Sequence, residues 1–129
     1  AALATLDILA APGTYDEINA RADRFYRQMQ EVFDRNGIPV TVQGKGARFG
    51  IFFGRTEPVT TWTDAFHHDH EMNRAFVQQC WERGVAFHGY TKQGPPGHAG
   101  FSTAHTDDDL DEALNVFDTV AANLAAGRM

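Results

Sequence analysis

The chain has 129 residues, of which 43% are hydrophobic and 22% are charged, and this composition indicates one folded domain rather than a disordered or collagen-like protein. Its 11 basic and 17 acidic side chains give a formal net charge of −6, which argues against binding to the phosphates of nucleic acids. The one cysteine, Cys80, excludes an internal disulfide framework and suits the reducing cytoplasm.

The N-terminal segment carries neither a membrane-spanning pattern nor a secretory signal. No apolar run approaches the ~20 residues that a transmembrane helix requires. Asp7 interrupts the apolar start, and no basic residue precedes it, unlike in a signal peptide. We therefore expect no membrane association. The chain opens on Ala1, inside a predicted helix and without an initiator methionine, so we expect it to be a piece of a longer polypeptide.

Two helices are predicted first. Leu3, Leu6 and Leu9 recur at helical spacing over 1–10, and Pro12-Gly13 ends this helix.

The second helix is predicted to begin at Thr14, because Thr14 and Glu17 have the spacing of a capping box. It is predicted to end at Asn36-Gly37, just before Pro39. Its predicted buried face consists of Ile18, Ala22, Phe25, Met29, Val32 and Phe33.

A β-hairpin follows. The β-branched run Val40–Val42 predicts its first strand, 44–46 its turn, and 47–53 its second strand. Alternation places Phe49, Ile51 and Phe53 on one face of the second strand and Phe52 on the other.

The middle of the chain predicts one helix, two short strands and a loop. The helix begins near 64–69 and ends at Gly84, and its inner face consists of Met72, Ala75, Phe76 and Cys80. Strands are predicted over 85–87 and 99–104, separated by a loop over 88–97 that is rich in glycine and proline.

The last helix is predicted to start after Thr106, a suitable N-cap with Asp109 three residues further on. The acidic run over 107–112 complements the helix dipole, and this explains it without calcium binding. The elements together predict an α+β fold: a small, mostly antiparallel sheet with helices on one face.

Two segments carry candidate chemistry. His67, His68 and His70 bring imidazoles together, but a zinc site needs ligands that converge on one point, so the alternative is a solvated helix start. The loop from 88 to His98 contains Tyr90, and it is the best candidate for ligand contact. Its alternative is an ordinary exposed connection. Cys80 lies on an inner helix face without basic neighbours, so we expect a small buried hydrophobe rather than a nucleophile.

Several strings resemble one enzyme family, and they occur in the family's order. They are Ala1–Leu9, Pro12–Tyr15, Gly37–Val42, Phe49–Phe53, Glu82–Val85 and Gly100–Asp111. Together they resemble the C-terminal part of glutamate-1-semialdehyde 2,1-aminomutase and its relatives among the class III aminotransferases, over essentially the whole chain. The string Ala104-His-Thr before an acidic helix start is typical of the aminomutase-like branch.

The resemblance implies one domain of a larger enzyme that uses pyridoxal 5′-phosphate (PLP). In this family, of the fold-type I class, the lysine that forms the Schiff base lies on an upstream large domain, and neither Lys45 nor Lys92 stands in that context. The resemblance implies that 1–11 ends the helix between the domains and that 12–129 forms the small C-terminal domain. Such a chain binds no cofactor by itself, is not catalytic alone, and has the large PLP-binding domain as its partner.

The resemblance also indicates a substrate side. The aminomutases have a glutamate just ahead of an Ala-Gly/Cys-Phe string, where this chain has His98 ahead of Ala99-Gly-Phe. We hypothesise that His98 hydrogen-bonds a substrate carboxylate or carbonyl, and that Tyr90 and Lys92 assist it.

Separation from a large domain exposes apolar surface. Candidates for that surface are Leu3, Leu6, Leu9, Trp62 and Trp81, and we expect homo-oligomers because such patches favour self-association. Two other functions stay open at this point: a standalone α+β module that binds a ligand or a protein, and a metal-dependent hydrolase that uses the histidine cluster.

Overall fold

The structure is a computed structural model that describes residues 2–87 and 94–128. Its elements in chain order are α1 (Ala2–Ala10), α2 (Thr14–Arg35), β1 (Val40–Lys45), β2 (Arg48–Phe53), α3 (Trp62–Phe66), α4 (His70–Trp81), β3 (Ala99–Gly100) and α5 (Asp107–Ala125). This confirms the predicted α+β class.

The three strands form one antiparallel sheet in the order β1-β2-β3. Strands β1 and β2 pair along their whole length, from Val40 opposite Phe53 to Lys45 opposite Arg48. Gly46 follows β1 with a φ of 53°, a left-handed conformation that glycine adopts at little cost. The hairpin therefore forms as predicted, although its turn lies slightly later in the chain.

The long helices lie on one face of this sheet. Helix α2 contacts β1, α4 contacts β2, and α5 packs against both helices. The covered face of β2 carries Phe49, Ile51 and Phe53, which alternate along the strand and are all buried. The predicted arrangement of helices on one face is confirmed.

The opposite face of the hairpin is covered by the loop that follows β2. The Thr41 hydroxyl donates to the Arg55 carbonyl at 3.1 Å. The Gln43 amide donates to the Val59 carbonyl at 2.7 Å and accepts from the Val59 N–H at 3.0 Å. These two bonds to one residue imitate strand pairing, and they hold the loop against β1.

Four phenylalanines form the centre of the core. Phe33, Phe53, Phe76 and Phe117 are each at most 1% exposed. Phe76 lies at their centre, with ring centroids 5.4 Å from Phe33, 5.2 Å from Phe53 and 5.4 Å from Phe117. These tilted ring pairs join α2, α4, α5 and the sheet into one apolar cluster.

Of the two predicted helix caps, one is correct and one is wrong. Thr106 caps α5 as predicted, in a reciprocal capping box with Asp109. Thr14 does not cap α2, because Gly13, with a φ of 87°, occupies the cap position and Thr14 is already helical. The Thr14 hydroxyl instead donates to the carbonyl of Ile8 at 3.0 Å, near the end of α1. There it adds a second bond to a carbonyl that also accepts from the Ala11 N–H at 3.2 Å.

The strand predicted over 85–87 is wrong: these residues form no strand. The Val85 N–H donates to the Cys80 carbonyl at 2.9 Å and so terminates α4 instead of joining the sheet. The strand predicted over 99–104 is reduced to Ala99–Gly100, since the His105 N–H turns back to the Ser102 carbonyl at 3.1 Å.

The helix predicted to begin near 64–69 is α4, which begins at His70. The short helix α3 that precedes it was not predicted, and residues 67–69 separate the two. The Asp69 N–H donates to the Phe53 carbonyl at 2.7 Å, and the Asp69 carboxylate caps α4 by accepting from the Met72 N–H at 2.9 Å. Asp69 therefore ties the start of α4 to the end of β2. Among residues 2–87 and 94–128, no helix combines the length and the apolar character that a bilayer crossing requires.

Phe76→Ala tests the core. We expect it to lower the free energy of unfolding by about 3–5 kcal/mol, because it leaves a cavity between three other rings. Urea unfolding followed by circular dichroism measures this, and Phe76→Leu should give a smaller loss if the alanine variant does not fold. Tyr15→Ala, at a 56% exposed site, should stay within about 0.5 kcal/mol of the parent sequence. Equal losses at both sites would contradict the packing described.

Candidate functional site

A groove opens between the start of α5, the edge of the sheet at β2 and β3, and the segment after α4. Its volume is about 460 Å³. Its lining combines aromatic side chains with both basic and acidic ones, which include Phe87, Phe101, Phe117, Arg48, Arg83, His105, Asp109 and Glu112. An apolar surface with a few polar groups is typical of sites for small molecules.

The close approach of β3 to β2 places Arg48 at this groove. Arg48 pairs with Gly100. A Cβ on Gly100 would lie 2.7 Å from the Ala47 carbonyl oxygen and 3.0 Å from Cδ of Arg48. Glycine therefore lets the Arg48 side chain lie against β3. Arg48 was not predicted as a site residue, because the pairing of β2 with β3 is not visible in the local sequence.

The structure describes one of the three predicted substrate residues. His98 is exposed and directly precedes the buried Ala99 of β3. It stands beside the groove and is not part of its lining. Tyr90 and Lys92 lie outside the described residues. The prediction that His98, Tyr90 and Lys92 lie together therefore stays a prediction.

The three clustered histidines have different environments. His67 is exposed, whereas His68 is only 7% exposed, and its ring centroid lies 4.3 Å from that of His70. Nε2 of His68 lies 2.9 Å from the carbonyl oxygen of Gly94, and the buried Nδ1 has no hydrogen-bond partner in the part of the chain that the structure describes. Within 2–87 and 94–128, no three His, Cys, Asp or Glu side chains are grouped to hold a metal ion. The alternative of a solvated helix start is wrong for His68, which the fold buries.

Burial also determines the protonation of His68. Burial lowers the pKa of the imidazole from its ordinary value, and this is the largest effect. The bond to the Gly94 carbonyl raises the pKa, the charge of His70 lowers it further, and the charge of Asp69 raises it. A carbonyl only accepts, so the neutral ring carries its proton on Nε2 and donates it to Gly94. His68 is therefore a neutral donor at pH 7.

Cys80 and the acidic run of α5 have structural roles. Cys80 is fully buried in α4, and burial raises its pKa to about 12, so it holds no thiolate at neutral pH. Asp107 lies 3.0 Å from Nε of Arg21 and 2.9 Å from Nη2 of Arg24. Asp109 closes the capping box, which lowers the pKa of its carboxyl.

A second surface feature is apolar. Leu3 and Leu6 of α1 are 78% and 60% exposed, and no described residue of α1 is buried. Leu9, Trp62 and Trp81 are also exposed. The predicted exposure of these side chains is therefore confirmed for this chain.

The described fold is that of one domain of transaminases. It superposes on a β-phenylalanine aminotransferase from Variovorax paradoxus with a TM-score of 0.71 at 14% identity, covering 85% of this chain and 24% of that one. It superposes on a transaminase solved with PLP bound with a TM-score of 0.69 at 16% identity, covering 92% of this chain and 25% of that one.

Sequence similarity points to a narrower group. The chain is 32% identical over 124 residues to the glutamate-1-semialdehyde 2,1-aminomutase of Desulfosudis oleivorans, a match that covers 96% of this chain and 28% of that enzyme. No family model matches the chain. The resemblance predicted from the sequence strings is confirmed: the chain is similar, over nearly its whole length, to about a quarter of PLP-dependent aminotransferases and aminomutases. The comparisons do not support a standalone binding module.

A pH series tests the buried state of His68. Because its folded pKa is lowered, the folded chain binds fewer protons there than the unfolded chain, whose histidine titrates near its ordinary 6.5. The stability that this group supports is present above that value and is lost as pH falls toward the folded pKa. The free energy of unfolding of the unsubstituted chain should therefore drop more steeply from about pH 7 to about pH 5 than that of His68→Gln. His67→Gln, a substitution at an exposed site, should show the same pH dependence as the unsubstituted chain. A steeper drop in His68→Gln than in the unsubstituted chain would contradict the assignment.

Proposed function

We propose that this chain is the small C-terminal domain of a PLP-dependent aminotransferase or aminomutase that resembles glutamate-1-semialdehyde 2,1-aminomutase. Residues 1–11 then end the helix between the domains, and 12–129 form the small domain. The observation that carries this proposal is the match of 96% of the chain to 28% of an aminomutase. The chain shapes the substrate side of the active site and is not catalytic alone.

The cofactor is proposed for the parent enzyme and not for these residues. PLP supplies an electron sink for the carbon that bears the reacting amine. Lys45, the one lysine among the described residues, is exposed at the end of β1 and does not line the groove. The described part of the chain therefore does not fit the role of Schiff-base lysine. What remains for this domain is to bind and orient the substrate and to exclude water.

His98 is the residue for which we propose direct substrate contact. It is exposed, and the next residue is fixed in the sheet by the pairing of Ala99 with Phe49. An imidazole at the end of a rigid strand is well placed to hydrogen-bond a carboxylate or a carbonyl. Tyr90 and Lys92 belong to the same proposal as assisting residues.

The exposed apolar face of α1 supports a partner. Helix α1 contacts α2, but none of its described residues is buried, so its leucines present an apolar face to a surface outside this chain. We propose that the large PLP-binding domain of the parent covers Leu3 and Leu6, and that the parent is a homo-oligomer. The free and buried Cys80 suits the cytoplasm, which is the proposed location.

His98→Ala in the full-length parent tests the substrate contact. We expect the KM for one class of amine donor to change about tenfold, since a hydrogen bond to a charged group is lost. The visible absorbance of the bound cofactor should not change. Steady-state kinetics with several amine donors measures the effect, and His67→Ala serves as the exposed histidine control. Equal kinetics of His98→Ala and the parent sequence for all donors would refute the contact.

Charges on α1 test the apolar face. In the isolated chain, Leu3→Glu with Leu6→Glu should reduce self-association, because each buried leucine contributes about 1.5–3 kcal/mol to an apolar contact. Light scattering after size-exclusion chromatography should show the mass falling toward that of one chain. Asn115→Glu with Ala122→Glu adds the same charge at exposed positions of α5 and should leave the mass unchanged. If the isolated chain without substitutions is already monomeric at high concentration, the proposal that this apolar face drives association is wrong.

A further inference from the structure

The hydrogen bond between His68 and Gly94 joins two segments that do not pair with each other as strands. It links the start of α4 to a residue 26 positions later in the sequence, with 2.9 Å between Nε2 and the carbonyl oxygen. The imidazole is only 7% exposed, so this bond forms away from bulk water. A buried bond of this kind positions its two partners more firmly than one in competition with solvent.

The His68 end of this link is rigid. The next residue, Asp69, donates its N–H to the Phe53 carbonyl at the end of β2 and caps α4 with its carboxylate. The ring of His70 packs beside that of His68 at 4.3 Å. The imidazole is therefore fixed to the sheet and to a helix start, and its direction is set by packing.

The Gly94 end leads directly to the proposed substrate residue. Three residues separate Gly94 from His98, and two of them are Pro95 and Pro96, whose φ angles are fixed by their rings. Beyond His98, Ala99 pairs with Phe49 in the sheet. The segment 94–98 is thus held at one end by His68 and at the other by β3.

We propose that His68 is a positioning residue that fixes the segment 94–98 and so sets the place of His98 at the substrate side of the parent enzyme. This inference rests on the proposed function of His98. Among residues 2–87 and 94–128, Nδ1 of His68 has no hydrogen-bond partner, so the hydrogen bond that the ring contributes there is the one from Nε2 to Gly94. Because the bond acts on substrate placement before and during the reaction alike, its loss affects KM rather than kcat.

The test uses the full-length parent with four variants: His68→Leu, which removes the donor; His68→Gln, whose amide nitrogen reaches about as far as Nε2; His98→Ala; and His67→Leu as control. Hydrogen exchange of the amides over 97–101, read by mass spectrometry, reports the link independently of activity. His68→Leu should speed this exchange and raise the KM of the donors that respond to His98→Ala about fivefold, as expected for one ordinary hydrogen bond. The kcat and the cofactor absorbance should stay the same. His68→Gln should restore both readouts, and His67→Leu should change neither.

A double-mutant cycle separates positioning from simple destabilisation. If His68 acts through His98, adding His68→Leu to His98→Ala should raise KM less than about twofold further. Fully additive effects, or unchanged exchange over 97–101 in His68→Leu, overturn the inference. If His98→Ala shifts KM and His68→Leu does not, the inference fails while the proposed function stands. If His98→Ala changes no donor, the proposed substrate contact fails, and with it the positioning role. Should His68→Leu not fold, His68→Met takes its place as the variant without a donor.

Discussion

The burial of four phenylalanines between three helices and one hairpin is the constraint on which the other features of this chain depend. Phe76 brings α4 against α2, α5 and the sheet through its contacts with Phe33, Phe53 and Phe117. With α4 fixed in this way, its first residues lie at the end of β2. Asp69 completes that junction with a backbone bond to Phe53. The position of His68, and through it that of segment 94–98, follows from the same packing.

Ion pairs refine this arrangement without holding it together. Asp107 lies within 3.0 Å of Nε of Arg21 and 2.9 Å of Nη2 of Arg24, but all three side chains are partly or largely exposed. Pairs of this kind contribute about 0–1 kcal/mol each, which is little beside the burial of an aromatic ring. Their value lies in alignment: they fix the first turn of α5 against α2, and that turn forms one wall of the groove.

Sequence patterns predicted what is local and missed what depends on distant partners. The cap of α5 was visible because Thr106 and Asp109 are three residues apart and satisfy each other. The start of α2 at Thr14 was predicted, but the capping role of Thr14 was not correct, because its hydroxyl bonds the Ile8 carbonyl across a turn set by the left-handed Gly13. The helical stripes and the hairpin were predicted correctly, since their apolar periods are properties of the sequence itself.

The same difference between local and distant partners explains which residues of the candidate site were predicted from the sequence. His98 was found through a family resemblance in a local string, whereas Arg48 reaches the groove only because Gly100 pairs with it across the sheet. A solvated helix start was the alternative considered for His68, yet its ring is buried and bonds the carbonyl of Gly94, 26 residues away.

The surface of this domain is more informative about its role than its core. A core of this kind stabilises many α+β domains and specifies no activity. Two features have no physical reason in a self-sufficient domain: the exposed leucines of α1 and the segment of His98, which is held at both ends. Exposure of the leucines to water is unfavourable in free energy compared with their burial. The segment around His98 is fixed by a buried bond, although a free loop would have more entropy. Both costs are offset if a second domain covers α1 and a substrate meets His98, and this is the arrangement that the similarity to a quarter of an aminotransferase supports.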